Sequence, residues 1–124
     1  MKSIRISIGE FEFIADLHTT PTGEAIWASL PIASSIHTWG DEIYFGVETA
    51  ASLEAGAKSE VKVGDLAYWP SMPAFCIFFG ATPASINTEP RAASPVNIFG
   101  HMRQVDPAVL RSLVDGASVR VEEA

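Results

Sequence analysis

The chain holds a single cysteine, Cys76. One thiol cannot form an internal disulfide, so the fold has to stand without that staple, and the composition fits a reducing compartment. Basic residues are scarce: eight Lys and Arg stand against fifteen Asp and Glu, a net charge of -7. That balance repels phosphate, which argues against a nucleic-acid partner and against anionic membrane surfaces. No run approaches the roughly 20 apolar residues that span a bilayer. Charges interrupt the opening segment MKSIRISIGEFEF too often for the apolar core of a signal peptide. A soluble cytoplasmic protein is therefore expected. Internal repeats and low-complexity linkers are also lacking, so 124 residues form one domain, 1–124. His18, His37 and His101, taken with Cys76, fit no ligand spacing, and neither a metal nor another cofactor is expected.

What is present is apolar. Hydrophobic residues make up 48% of the chain, enough for a core without staples. The densest stretch is Val63–Gly80, with Tyr68, Trp69, Phe75, Phe78, Phe79 and the cysteine. It reads as two strands, Asp65–Trp69 and Ala74–Phe79, around a turn that carries Pro70, Ser71 and Pro73. Alternation puts Phe75, Ile77 and Phe79 on one face of the second strand and Cys76 and Phe78 on the other. Both faces are apolar, as expected where one faces a core and the other a helix or pocket.

Elsewhere the period of two recurs. Ile4, Ile6 and Ile8 alternate with Ser3, Arg5 and Ser7, then Phe11, Phe13, Ala15 and Leu17 alternate after Gly9-Glu10, which predicts an antiparallel hairpin. Thr19–Glu24 has the features of a helix start, with Pro21 at the first position and Glu24 in the first turn. Ile26, Trp27 and Leu30 share its buried face, and Pro31 ends it. Ser34–Thr38 is expected to be a short strand, Trp39-Gly40-Asp41 a turn, and Glu42–Val47 a strand. Ala50–Ser59 reads as a loop or a frayed helical turn. Ala81–Ser94 reads as a long loop, a length that often carries function. Val96–Val105 is a strand with a bulge or close approach at Gly100. Asp106-Pro107 opens a helix to Val114, which Gly116 stops, and Ser118–Glu122 is the last strand. About eight short strands and two helices predict a barrel, which removes sheet edges.

Several phrases now sharpen that reading. Gly64-Asp65-Leu66-Ala67-Tyr68, Phe78-Phe79-Gly80-Ala81-Thr82 and Phe99-Gly100-His101-Met102-Arg103 are similar to runs of the cyclophilins. More specifically, the chain resembles a family of small bacterial and archaeal cyclophilin-like proteins of unknown function. The resemblance rests on T-W-G-D-E-I-Y-F at Thr38–Phe45, V-G-D-x-A-Y-W-P at Val63–Pro70, C-I-F-F-G-x-T-P at Cys76–Pro83 and S-P-V-N-x-x-G at Ser94–Gly100. It implies a mainly β fold: a closed antiparallel eight-stranded β-barrel with two short capping helices. It does not imply prolyl isomerase activity. Active cyclophilins carry an arginine on the strand after the first helix, and the corresponding Ser34–Val47 has none. Their F-x-x-Q-G-G-D run is absent. Trp69 and Pro70 replace the short side chains of their groove floor, while Phe79 matches their pocket phenylalanine.

The candidate ligand-binding residues follow from both readings. Trp39, Tyr44, Phe45, Tyr68, Trp69, Phe75, Phe78 and Phe79 are the aromatics available to wall a cleft. Trp39 and Trp69 border turns, which favours them over residues in mid-strand. Glu42 sits among apolar residues, where a carboxylate serves as a base of raised pKa or as a ligand anchor. Asn97 lies in an apolar strand and must find partners for its amide, fixing backbone or touching a ligand. Arg103 is the one candidate substitute for the missing arginine. Three functions are open: a module binding a small molecule or peptide, an isomerase of altered mechanism, and an enzyme of another class using Glu42 or a histidine. An acidic barrel with an apolar rim can also form a homodimer, although no residue specifies one.

Overall fold

The computed structural model describes residues 2–124. The expected hairpin is present: β1 (Ser3–Ile8) pairs antiparallel with β2 (Phe11–Leu17), with Ile4 opposite Ala15 and Ile6 opposite Phe13. Ile4, Ile6 and Ile8 are fully buried, as their period of two requires. Helix α1 (Pro21–Ser29) starts on Thr20, whose hydroxyl accepts the Gly23 N–H at 3.0 Å. Ile26 is buried against the core, and Trp27 and Leu30 pack beside it.

Next come β3 (Ile32–Ser35), β4 (His37–Thr38), β5 (Glu42–Gly46) and β6 (Lys58–Glu60), then the pair β7 (Asp65–Trp69) and β8 (Ala74–Phe78). Strand β9 (Arg91–Met102), helix α2 (Pro107–Ser112) and β10 (Ser118–Glu123) complete the chain. Asp106 caps α2 by accepting the Val109 N–H, with Pro107 at its first position. All strand pairs are antiparallel, in the order β3-β10-β1-β2-β9-β7-β8-β5-β4, and β6 pairs with β9 off that path.

Two expectations change. The eight-stranded closed barrel becomes ten strand segments, and no hydrogen-bonded ladder among the described residues joins the two ends of the path. The ends are nevertheless consecutive in the chain, separated only by Ile36. That buried residue turns its backbone to the segment before β10: its N–H donates to Ala117 O and its carbonyl accepts from Gly116 N. The predicted strand Ser34–Thr38 is therefore split, one half paired with β10 and the other with β5. The second change concerns the long loop. It ends at Pro90, and Arg91–Ser94 already belong to β9, where they are held by β6. Proline and small polar residues hid a strand whose pairing partner is remote in sequence.

Strand β9 bulges at Phe99: Leu66 pairs with Gly100 but Ala67 with Ile98. Gly100 is also a close approach, because a Cβ there would lie 2.7 Å from the Asp16 carbonyl oxygen. The buried side chains fall into two clusters. The larger holds Ile43, Phe45, Leu66, Tyr68, Phe75 and Ile77 with the β1 isoleucines. Within it Phe75 stacks on Phe45 at 4.7 Å and meets Phe99 edge-on at 5.0 Å, each pair adding about 1 kcal/mol beyond area burial. The smaller cluster holds Val61, Ala67, Cys76, Phe78, Ala92 and Val96 on the opposite face of β7 and β8.

Between β5 and β6 the chain crosses as a loop tied by two buried polar groups. The Tyr68 hydroxyl donates to Thr49 O at 2.6 Å and accepts from Ala51 N at 3.2 Å. Asn97, 2% exposed, accepts from Glu54 N at 2.8 Å and donates to Ser52 O at 2.8 Å and to Thr22 Oγ1 at 3.0 Å. The Glu54 carboxylate in turn accepts from the Thr22 N–H and hydroxyl. One amide thus joins β9, α1 and the loop. Asn97→Ala is expected to lower stability by about 2–3 kcal/mol, because it leaves buried partners unpaired. Urea unfolding measures it, and a loss below 0.5 kcal/mol, on the order of an ordinary surface change, would contradict this role.

Candidate functional site

The site is built on the outer face of β5, β7 and β8. Their inward residues, Ile43, Phe45, Leu66, Tyr68, Phe75 and Ile77, belong to the larger core. Alternation therefore turns Glu42, Tyr44, Trp69 and Cys76 outward, and the register sets Tyr44 directly opposite Cys76. The start of β9 runs alongside and supplies Ala92, Ala93 and Val96, while Trp39 closes the remaining side. These side chains enclose a pocket of about 260 Å³.

Each aromatic wall is held in place. The Trp69 indole N–H donates to Ser94 Oγ at 2.7 Å, so its one polar atom is occupied and carbon surface remains for the pocket. The Tyr44 ring lies 5.3 Å from that of His37, tilted by 34°. Trp39 sits on a tight turn in which Trp39 N and Glu42 N each donate to the other residue's carbonyl. Gly40 allows that turn: its φ is +59°, and a Cβ would come within 2.9 Å of Pro83. Asp41 pins the turn from outside, its carboxylate gripped by the Arg111 guanidinium of α2 at 2.9–3.2 Å.

Glu42 is the one carboxylate in the pocket, and it is only 7% exposed. Among the described residues no nitrogen or oxygen hydrogen-bonds to its side chain. Its neighbour is the Cys76 thiol, a weak donor. Burial pushes the Glu42 pKa up to about 7, against which the Cys76 contact acts in the lowering direction. Burial, with Glu42 beside it, holds the Cys76 thiol well above the usual thiol range, so it remains protonated and inert.

Of the residues predicted for the site, the pocket gathers Trp39, Glu42, Tyr44 and Trp69. The others lie elsewhere. Tyr68, Phe75 and Phe79 point into the larger core, because alternation gives them the inner face. Phe78 is outward but fully buried in the smaller cluster, beneath the lining. Asn97 fixes backbone, as described. Arg103 lies against β1 and β2, forking onto Asp16 at 3.0–3.2 Å and onto Ser3 Oγ at 2.9 Å, an exposed pair that holds the Asp16 carboxyl below its ordinary range. No lysine or arginine lines the pocket.

Cys76, Ala92, Ala93 and Val96 were not predicted for the site. The first had a signal, since it alternates with Phe75 and Ile77, but only the β5–β8 register sets it beside Glu42. The alanines fell in the supposed loop. Among the described residues no group of three or more His, Cys, Asp or Glu could hold a metal. His101 instead meets Asp65 at 3.1 Å, near the surface. No helix of the described residues is long and apolar enough to cross a membrane.

The model of the family described as cyclophilin-like matches residues 2–122. The chain belongs to the cyclophilin-like family. A solved relative is similar throughout: the solution structure of a hypothetical protein from Archaeoglobus fulgidus shares 39% identity over 99% of this chain and 95% of that one, with a TM-score of 0.83. None of the curated proteins matches this cyclophilin-like chain.

The raised pKa of Glu42 has a stability consequence with a definite sign. The folded carboxyl keeps its proton up to about pH 7, whereas the unfolded one loses it near the ordinary 4.5. Its contribution is therefore fully present below pH 4.5 and is lost as pH rises through 7, a change of about 3 kcal/mol. Glu42→Gln cannot ionise, so its melting temperature relative to the parent is expected to rise by roughly 10 °C between pH 4 and pH 8. A difference that stays constant across that range would show that Glu42 ionises normally.

Proposed function

We propose that this protein binds a small organic molecule, or the side chain of a peptide, in the pocket around Glu42, and that it does not isomerise prolyl bonds. The observation that carries the reading is a largely buried carboxylate, with only the weak Cys76 thiol as hydrogen-bonding neighbour, in the lining of an aromatic-walled pocket. A polar group left in that state costs stability, and a ligand that satisfies it recovers the loss. Aromatic and small apolar walls with one fixed polar group describe a binding site. The outer position also supports it, since a core cavity would be closed to ligand.

Isomerase chemistry finds less support. The electrostatic help that a twisting imide needs would come from a cation at the pocket, and none lines it. Phe79, the counterpart of the cyclophilin pocket phenylalanine, is 3% exposed and packed in the core. One observation favours a second reading, general acid–base catalysis by Glu42: a pKa near 7 suits proton transfer at neutral pH. We further infer that the curled sheet acts as a barrel, its two ends joined by the continuity of the chain through Ile36.

Binding has a direct readout, because Trp39 and Trp69 line the pocket and only Trp27 lies elsewhere. A panel of small amines, alcohols and aromatic acids should contain compounds that change tryptophan emission and raise the melting temperature. A hundredfold excess over Kd corresponds to about 2.7 kcal/mol of stabilisation. Trp69→Ala is expected to remove both responses. A panel without any response would count against the pocket as a binding site. Prolyl exchange in a test peptide is expected to keep its uncatalysed rate at high protein concentration. An acceleration that Trp69→Ala abolishes would overturn that expectation.

A further inference from the structure

We propose that the pocket selects small alkylammonium ions, with Glu42 as the counter-ion and Trp39, Tyr44 and Trp69 as the surrounding aromatic walls. The inference rests on the pocket being a binding site, and it names the class of ligand.

Charged and titratable groups on the elements around Glu42 are mostly committed to other partners. From β8 there is the Cys76 thiol, which stays protonated. From the preceding turn, Asp41 is committed to Arg111, and that arginine is thereby held outside. From β4, His37 lies against the Tyr44 ring, with Asp115 at 3.9 Å from its Nδ1. From β9, Arg91 turns its Nη2 to Glu60 at 3.1 Å, while its buried Nε has Glu89 at 3.9 Å and no hydrogen-bond partner among the described residues. No lysine, arginine or histidine is among the residues that line the pocket. Glu42 is more than nine-tenths buried, and among the described residues no cation forms a salt bridge with it.

The walls complete the argument. An ammonium ion is attracted to the faces of Trp and Tyr rings, and more strongly where water is excluded. Trp69 keeps its indole N–H on Ser94, so it offers the pocket ring surface and no competing donor. A neutral hydrogen-bond donor could also satisfy Glu42, but it would gain nothing from three aromatic walls beyond apolar contact. Ala92, Ala93 and Val96 provide a surface for a short alkyl chain in a pocket of about 260 Å³. The net charge of -7 favours arrival of a cation over an anion.

Isopentylammonium chloride and isopentanol are suitable probes, since they have nearly the same shape and only the first is charged. Calorimetric titration in phosphate buffer at pH 8 should show the ammonium binding at least tenfold tighter than the alcohol. Glu42→Gln should erase that preference, and Trp69→Phe should weaken ammonium binding several-fold while leaving the order of the two probes. Equal binding of both probes, or tighter binding of the alcohol, would overturn the cation preference and leave the pocket intact as a neutral site. A preference that survives Glu42→Gln would overturn the role of the carboxylate. Failure of both probes to bind would count against cation selection and the pocket together. If Glu42→Gln does not fold, the comparison of the two probes on the parent protein decides alone.

Discussion

Strands β5, β7 and β8 bury residues on both faces, and the chain has to cover each of them. Water must be kept from Phe45, Phe75 and Ile77 on one side and from Cys76, Phe78 and Ala67 on the other. The inner face is closed by the curl of the sheet, with the β1 isoleucines packed across it. The outer face is closed by the start of β9, held by β6, which lays Ala92 and Val96 over Phe78. A second layer made of two short segments cannot cover the whole of that face. The part left uncovered is the pocket.

The position of the site thus follows from packing. A strand whose outer side were polar would need no cover, and no cavity would form beside it. Here the outer side is apolar apart from Glu42, Asp65 and the Tyr44 hydroxyl, and Asp65 is paired with His101, so Glu42 is the carboxylate drawn into a place where its charge is disfavoured. The protein keeps this arrangement stiff rather than relaxed. Arg111 and Asp41 fix the turn below Trp39, Ser94 holds Trp69, and Asn97 and Tyr68 secure the loop behind them. A polar group held in a costly environment by rigid neighbours is poised to gain from a ligand.

Much of this was legible in residue order, for local reasons. Alternation separated Phe75, Ile77 and Phe79 from Cys76 and Phe78, and the two sets do enter different clusters. Capping residues marked both helix starts within a residue. Trp39 and Trp69 were distinguished by their places beside turns, and both line the pocket. Glu42 stood out as a carboxylate in an apolar strand, and Asn97 as an amide in need of partners. Tyr68, Phe75 and Phe79 were the harder cases. Period two says which residues share a face, but not which face looks inward. Their aromatic character suits a pocket as well as a core, and only the assembled sheet turns them inside.

Residue order by itself therefore determined a mainly β fold of the cyclophilin-like kind, its hairpin, its helix starts and a short list that contains four of the pocket residues. These depend on dihedral preference, capping and periodicity, which act over a few neighbours. Tertiary structure alone decided where β9 begins, how the strand around Ile36 is split, that Arg103 lies away from the pocket, and that Cys76, Ala92, Ala93 and Val96 complete it. Each depends on pairing between segments remote in the chain, because the register of one strand against another is set by what the whole sheet buries.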